Sequence, residues 1–162
     1  MRSVQLTMDL PGTAPREAFD AVRAFDRYPQ LAPDIRAVVT HGDSSDWEVY
    51  FRNGILRWTE TDHADPEAGT IVFAQQDGDF EDFTGEWRVT ARDGGGSRIT
   101  FRAGFDFGIP SLAGILDPVA ERVIKETIAC VVRGMFADAR SVADDQSAGD
   151  EEPGRTPAAV DR

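Results

Sequence analysis

From Ile35 to Phe107 the chain is one strand-like run after another, each closed by a turn signal. The signals are His41-Gly42-Asp43, Asn53-Gly54, Asp65-Pro66-Glu67-Ala68-Gly69, Asp77-Gly78-Asp79 and Asp93-Gly94-Gly95-Gly96. Strands joined this tightly form an antiparallel meander. A single long helix follows, opened by Ser111 and running to about Asp138, with Leu112, Leu116, Val119, Val123, Ile128, Val131 and Met135 at helical spacing. Ahead of the meander, Val4, Leu6, Met8 and Leu10 alternate with polar residues as a strand does. Pro11-Gly12 breaks that strand, and Thr13 is predicted to cap a helix from about Ala14 to Asp26, with Pro15 in its first turn. Phe19, Val22 and Phe25 share one face of it. Tyr28 to Pro33 reads as a turn or a second short helix stopped by proline. This order predicts an α+β, helix-grip fold, a curved antiparallel sheet wrapped around one long C-terminal helix. One helix cannot fill the inside of such a sheet, so an apolar cavity remains, the default site for a small hydrophobic ligand.

The fold is expected to occupy residues 1–140. From Ser141 the sequence SVADDQSAGDEEPGRTPAAVDR holds no aromatic residue and only two valines. It cannot bury enough apolar surface to offset its ordering entropy, and 141–162 is predicted to be a disordered acidic tail. The chain of 162 residues carries 29 Asp and Glu against 17 Lys and Arg, a formal net charge of −12. Even without the tail the domain is acidic, which excludes nucleic acid and anionic membrane surfaces as partners. No apolar run reaches the ~18 residues of a membrane span, and the N-terminus lacks one of signal-peptide length. One cysteine, Cys130, allows no intrachain disulfide, so a reducing, cytoplasmic setting is expected.

Metal and cofactor chemistry finds no foothold in the pattern. His41 and His63 stand at turns without spaced partners. The acids of Asp77-Gly78-Asp79-Phe80-Glu81-Asp82 imitate a calcium loop, but position 6 is Asp82 instead of Gly and position 12 is Arg88 instead of Glu. Gly94-Gly95-Gly96 lacks the strand-to-helix context of a phosphate loop. Aromatics dominate instead: Phe51, Trp58, Phe73, Phe83, Trp87, Phe101, Phe105 and Phe107 all fall on predicted strands. Most are core, yet there are more than one covering helix needs. The excess would line a flat, hydrophobic pocket, together with Leu116 and Val123 of the long helix. Along residues 55–61 periodicity leaves the inward face open. The apolar pair Leu56 and Trp58 would carry Glu60 inward and leave Arg57 and Thr59 outside, and a bulge at Asn53-Gly54 would permit the opposite phase. A carboxyl buried beside an apolar cavity must be paired or shift its pKa, the condition for a general acid or base.

The segment Gly78-Asp79-Phe80-Glu81-Asp82-Phe83-Thr84-Gly85-Glu86-Trp87-Arg88-Val89, with Phe105-Asp106-Phe107 before the helix, resembles the START-like polyketide cyclase/dehydrase and lipid transport proteins, notably their coenzyme-Q-binding branch. The resemblance spans roughly residues 2–140 and implies the same helix-grip fold. Members often carry Thr-Ser-Arg after a mid-sheet aromatic, where this chain has Trp58-Thr59-Glu60-Thr61, so their Arg falls on Thr61. The comparison turns Arg57, Thr59 and Thr61 inward, opposite to the apolar alternation. It also sets Glu86 where some cyclases have His. The function it implies is cofactor-independent cyclisation or dehydration of a poly-β-carbonyl chain, with Arg57 polarising a carbonyl and Glu86 or Glu60 moving the proton. The alternative is a non-catalytic carrier of a polyketide, quinone or lipid. An acyl carrier protein would be the delivering partner in the enzyme case, and the assembly a monomer or homodimer.

Overall fold

In the computed structural model residues 1–142 are described. Eight strands form one antiparallel sheet: β1 (Arg2–Leu10), β2 (Ile35–His41), β3 (Ser44–Phe51), β4 (Gly54–Asp65), β5 (Thr70–Gly78), β6 (Asp82–Ala91), β7 (Ser97–Asp106) and β8 (Arg140–Ser141). Their order is β2-β3-β4-β5-β6-β7-β1-β8. The meander is unbroken from β2 to β7, and β1 closes onto β7 with Leu6 opposite Phe101 and Met8 opposite Ile99. Period-2 burial follows: Phe83, Trp87 and Val89 of β6 and Ile99, Phe101 and Phe105 of β7 face the core. The expected helix-grip fold is what forms.

The helices differ from expectation at their ends. Helix α1 spans Pro15–Arg23 with Ala14 as N-cap and no side-chain cap. Thr13 is buried instead, its N–H donating to the Leu10 carbonyl. A 3-10 turn at Phe25–Arg27 takes up the rest of the expected helix, and α2 covers Tyr28–Leu31. The long helix α3 begins at Ala113, after a 3-10 turn at Pro110–Leu112, and ends at Met135. Arg140–Ser141 pairs with Met8 and Asp9 of β1, and the Val142 N–H donates to Thr7 O at 2.9 Å. The boundary expected at Ser141 therefore falls inside an edge strand, while 143–162 lie outside the described residues.

One irregularity governs the cavity. Thr59 faces Asp77 while Glu60 faces Gln75, so Gln76 is an extra residue in β5. Without it Asp77 would follow Phe73 and Gln75 onto the inner face; the bulge returns it to solvent. Gly78 completes the device. It has φ 153° opposite Trp58, where a Cβ would lie 2.5 Å from the Trp58 Cβ.

Candidate functional site

Between the inner face of the sheet and α3 lies a cavity of about 90 Å³. All three tryptophans and six of the ten phenylalanines line it. Trp47 and Trp58, opposite each other on β3 and β4, stack with centroids 5.8 Å apart and planes within 1°. Tyr28 packs edge-on against Trp47 and Trp87, and its hydroxyl donates to the Val22 carbonyl at 2.6 Å. Phe73 fits because Gly85 stands opposite it on β6: a Cβ there would lie 2.3 Å from the Phe73 ring. From α3, Val123, Ile124, Thr127 and Ile128 complete the wall.

Into this apolar box projects one carboxyl, that of Glu60, only 3% exposed. Its Oε1 accepts from Trp58 Nε1 at 2.8 Å. Behind it runs a polar chain in which Trp47 Nε1 donates to Ser45 Oγ at 2.8 Å and Ser45 Oγ donates to Asp62 Oδ2 at 2.6 Å. Burial pushes the Glu60 pKa up to about 10, and the neighbouring Asp62 carboxyl pushes the same way. The bond from Trp58 opposes the rise without cancelling it. At neutral pH Glu60 is therefore an uncharged acid able to donate a proton. No Lys, Arg or His lines the cavity among the described residues, so nothing in its wall would neutralise an anionic ligand.

Of the two faces left open for β4, the inner one in the structure carries Leu56, Trp58 and Glu60. Arg57 is turned outward, its side chain 58% exposed and bonded to Glu48 at 3.2 Å. Thr59 bonds Asp46 at 2.7 Å and Thr61 is exposed, so both also leave the cavity. Glu86 lies between the inward-facing Gly85 and Trp87, and the strand period puts it outside. It bonds Arg88 at 3.0 Å and borders an open polar trough with Ser3, Gln5 and Arg102. Neither Arg57 nor Glu86 can reach a ligand in the aromatic cavity.

Phe51, Trp58, Phe73, Phe83, Trp87, Phe101 and Val123 line the cavity. Phe105 is fully buried behind it, and Leu116, at the loosely covered start of α3, does not reach it. Sequence reasoning missed Trp47, Tyr28, Phe25, Phe80 and Asp62. Asp62 and Trp47 had a signal: Asp62 follows Trp58 and Glu60 at the same period, and the β3–β4 hairpin register places Trp47 against Trp58. Tyr28 starts the four-residue α2 and Phe80 lies in the β5–β6 connection, segments too short to show a period.

A family model described as polyketide cyclase / dehydrase and lipid transport matches residues 12–132. Three solved structures illustrate the shared fold. A Thermus thermophilus protein, TTHA0849, superposes with TM-score 0.71 at 18% identity over 82% of this chain and 93% of that one. The Zhui aromatase/cyclase of Streptomyces sp. R1128 gives 0.69 at 17%, covering 83% and 93%. A START superfamily protein of Mycobacterium smegmatis gives 0.69 at 15%, covering 83% and 97%. A search of curated protein sequences finds no match.

Proposed function

Since the chain belongs to the polyketide cyclase / dehydrase and lipid transport family, we propose that it binds a small, neutral, carbonyl-bearing chain in its aromatic cavity and promotes cyclisation or dehydration there, with Glu60 as the proton-moving group. The observation that supports this most is the Glu60 carboxyl itself, buried and facing the cavity. A pure carrier has no need of a buried acid, whose desolvation costs stability.

In a dehydration step the C–O bond breaks as the Glu60 proton passes to the departing oxygen, which leaves as water. The Glu60 carboxylate then takes the proton from the neighbouring carbon as the C=C bond forms, and the acid is restored. The high pKa suits the return step, because the carboxylate left beside Asp62 is a strong proton acceptor. The stacked indoles and phenylalanines would hold the chain flat, bringing its reacting carbons together and keeping water out.

The cavity as it stands is smaller than the about 150 Å³ that houses a benzene-sized guest in an engineered apolar cavity. A longer chain needs more room than this, which outward movement of α3 would supply. The first half of α3 suits this, since Ala120 is its single buried residue before Thr127. The test is Glu60→Gln, which keeps the size and the acceptor for Trp58 while removing acidity. Turnover of a linear poly-β-carbonyl substrate should fall about 10²–10⁴-fold, with ligand affinity within about threefold. Unchanged turnover would leave the family's other role, carriage of a quinone, lipid or intermediate.

A further inference from the structure

Glu60 and Asp62 stand two residues apart on the inner row of β4. Asp62 Oδ2 accepts from Ser45, but Asp62 Oδ1 is buried and finds no donor. Asp62 joins no ion pair among the described residues. The nearby donors for which a bond is seen are turned elsewhere. Ser45 has one hydroxyl proton, given to Oδ2; the Trp47 and Trp58 N–H groups go to Ser45 and Glu60; Tyr28 donates to Val22. From β5, the Gln75 amide donates to Phe80 O, and from α3 the Thr127 hydroxyl goes to Asp34. The titratable groups that face Glu60 are thus Asp62 on its own strand and Tyr28 from α2. The Glu60 carboxyl, on the same inner row of β4, is placed to offer Asp62 Oδ1 a proton.

We infer that Glu60 and Asp62 form a carboxyl pair sharing one proton, in which Asp62 is a positioning residue that keeps Glu60 an acid. The pair carries a single negative charge with no cation in the cavity wall, so it turns away carboxylates and selects neutral carbonyl compounds. This rests on the proposed role of Glu60 but is tested without turnover. Two carboxylates two residues apart on the inner row of one strand repel each other when both are charged, and a shared proton removes that repulsion. A ligand carboxylate would add a further unpaired charge, whereas a ketone oxygen only accepts a hydrogen bond.

The test uses the full chain at pH 7.5. Infrared spectra with ¹³C-labelled glutamate should show a protonated carboxyl band that disappears in Glu60→Gln. In Asp62→Asn that band should titrate away about 1–3 pH units lower than in the wild type. Calorimetric titration should give acetophenone at least about tenfold tighter binding than benzoate, a gap of about 1.4 kcal/mol, and Asp62→Asn should narrow that ratio at least about threefold. Absence of the band, a band whose titration ignores Asp62→Asn, or benzoate binding as well as acetophenone would overturn the pair. So would benzylammonium binding tightest of the three. The wild-type band and probe ratio decide the matter even if Asp62→Asn fails to fold. A turnover unaffected by Glu60→Gln would refute the catalytic role while leaving this pair untouched.

Discussion

Replacing Glu60 with glutamine should make the protein more stable at alkaline pH, and the gain should grow with pH. In the unfolded chain Glu60 ionises near 4.5, while in the folded protein burial and Asp62 hold it protonated up to about 10. Between those values the folded state binds more protons than the unfolded one. Stability is therefore lost as pH rises, at up to about 1.4 kcal/mol per pH unit for this one group. From pH 5 to pH 8 the limit is about 4 kcal/mol, set against a total stability of only about 5–15 kcal/mol. Glutamine does not titrate, can still accept from Trp58 Nε1, and offers an N–H to Asp62 Oδ1 in place of the acid proton. Urea unfolding of both proteins at pH 5, 6, 7 and 8 reads the difference directly, since every other group largely cancels. The two stability curves should nearly meet at pH 5 and diverge in favour of the variant above it. Parallel curves would mean that Glu60 titrates alike in the folded and unfolded chain, and a variant that loses ground toward pH 8 that Glu60 is an ionised, paired carboxylate. Either result would sink the argument for a buried acid.

The outward residues give the opposite expectation. Glu86→Gln and Arg57→Met should leave ligand affinity and turnover at wild-type values and shift stability by no more than about 0.5 kcal/mol, as urea unfolding would show, because both belong to solvent-exposed ion pairs. Asp9 behaves oppositely to Glu60 in pH. It is buried to 7% exposure, and its bonds from Arg98 at 2.7 and 3.2 Å hold its pKa down. Its contribution is therefore present above the unfolded value of 3.8 and disappears as pH falls through the lower folded one. Asp9→Asn should cost about 1–3 kcal/mol at pH 7 and nothing below that window; an equal cost at pH 2.5 would show a purely steric effect. Gly78→Ala should destabilise by about 1–3 kcal/mol, because its Cβ would meet the Trp58 backbone. Thermal melts check this, and a wild-type Tm would show that the bulge can relax.

Much of this molecule is decided by local rules that act on a single strand or helix. The turn signals at Gly42, Asn53, Asp65–Gly69 and Asp93–Gly96 mark where the meander folds back, because short polar and glycine-rich links leave few alternatives. The alternation of Leu56, Trp58 and Glu60 fixes which side of β4 faces in, since a one-residue slip would expose two apolar side chains and bury Arg57. The same rule, applied to Gly85-Glu86-Trp87, sends Glu86 outward. Tertiary structure alone decided the rest. The Gln76 bulge keeps Asp77 out of the cavity, and it depends on how β4 and β5 pair over many residues. Tyr28 and Phe80 reach the site from segments without period, carried there by the packing of α2 and of the β5–β6 connection. The acidity of Glu60 belongs to no residue in isolation. It arises from burial and from the Asp62 carboxyl beside it, against the opposing pull of the Trp58 hydrogen bond, and desolvation and charge coupling are properties of that assembled space, not of the order in which its residues are strung.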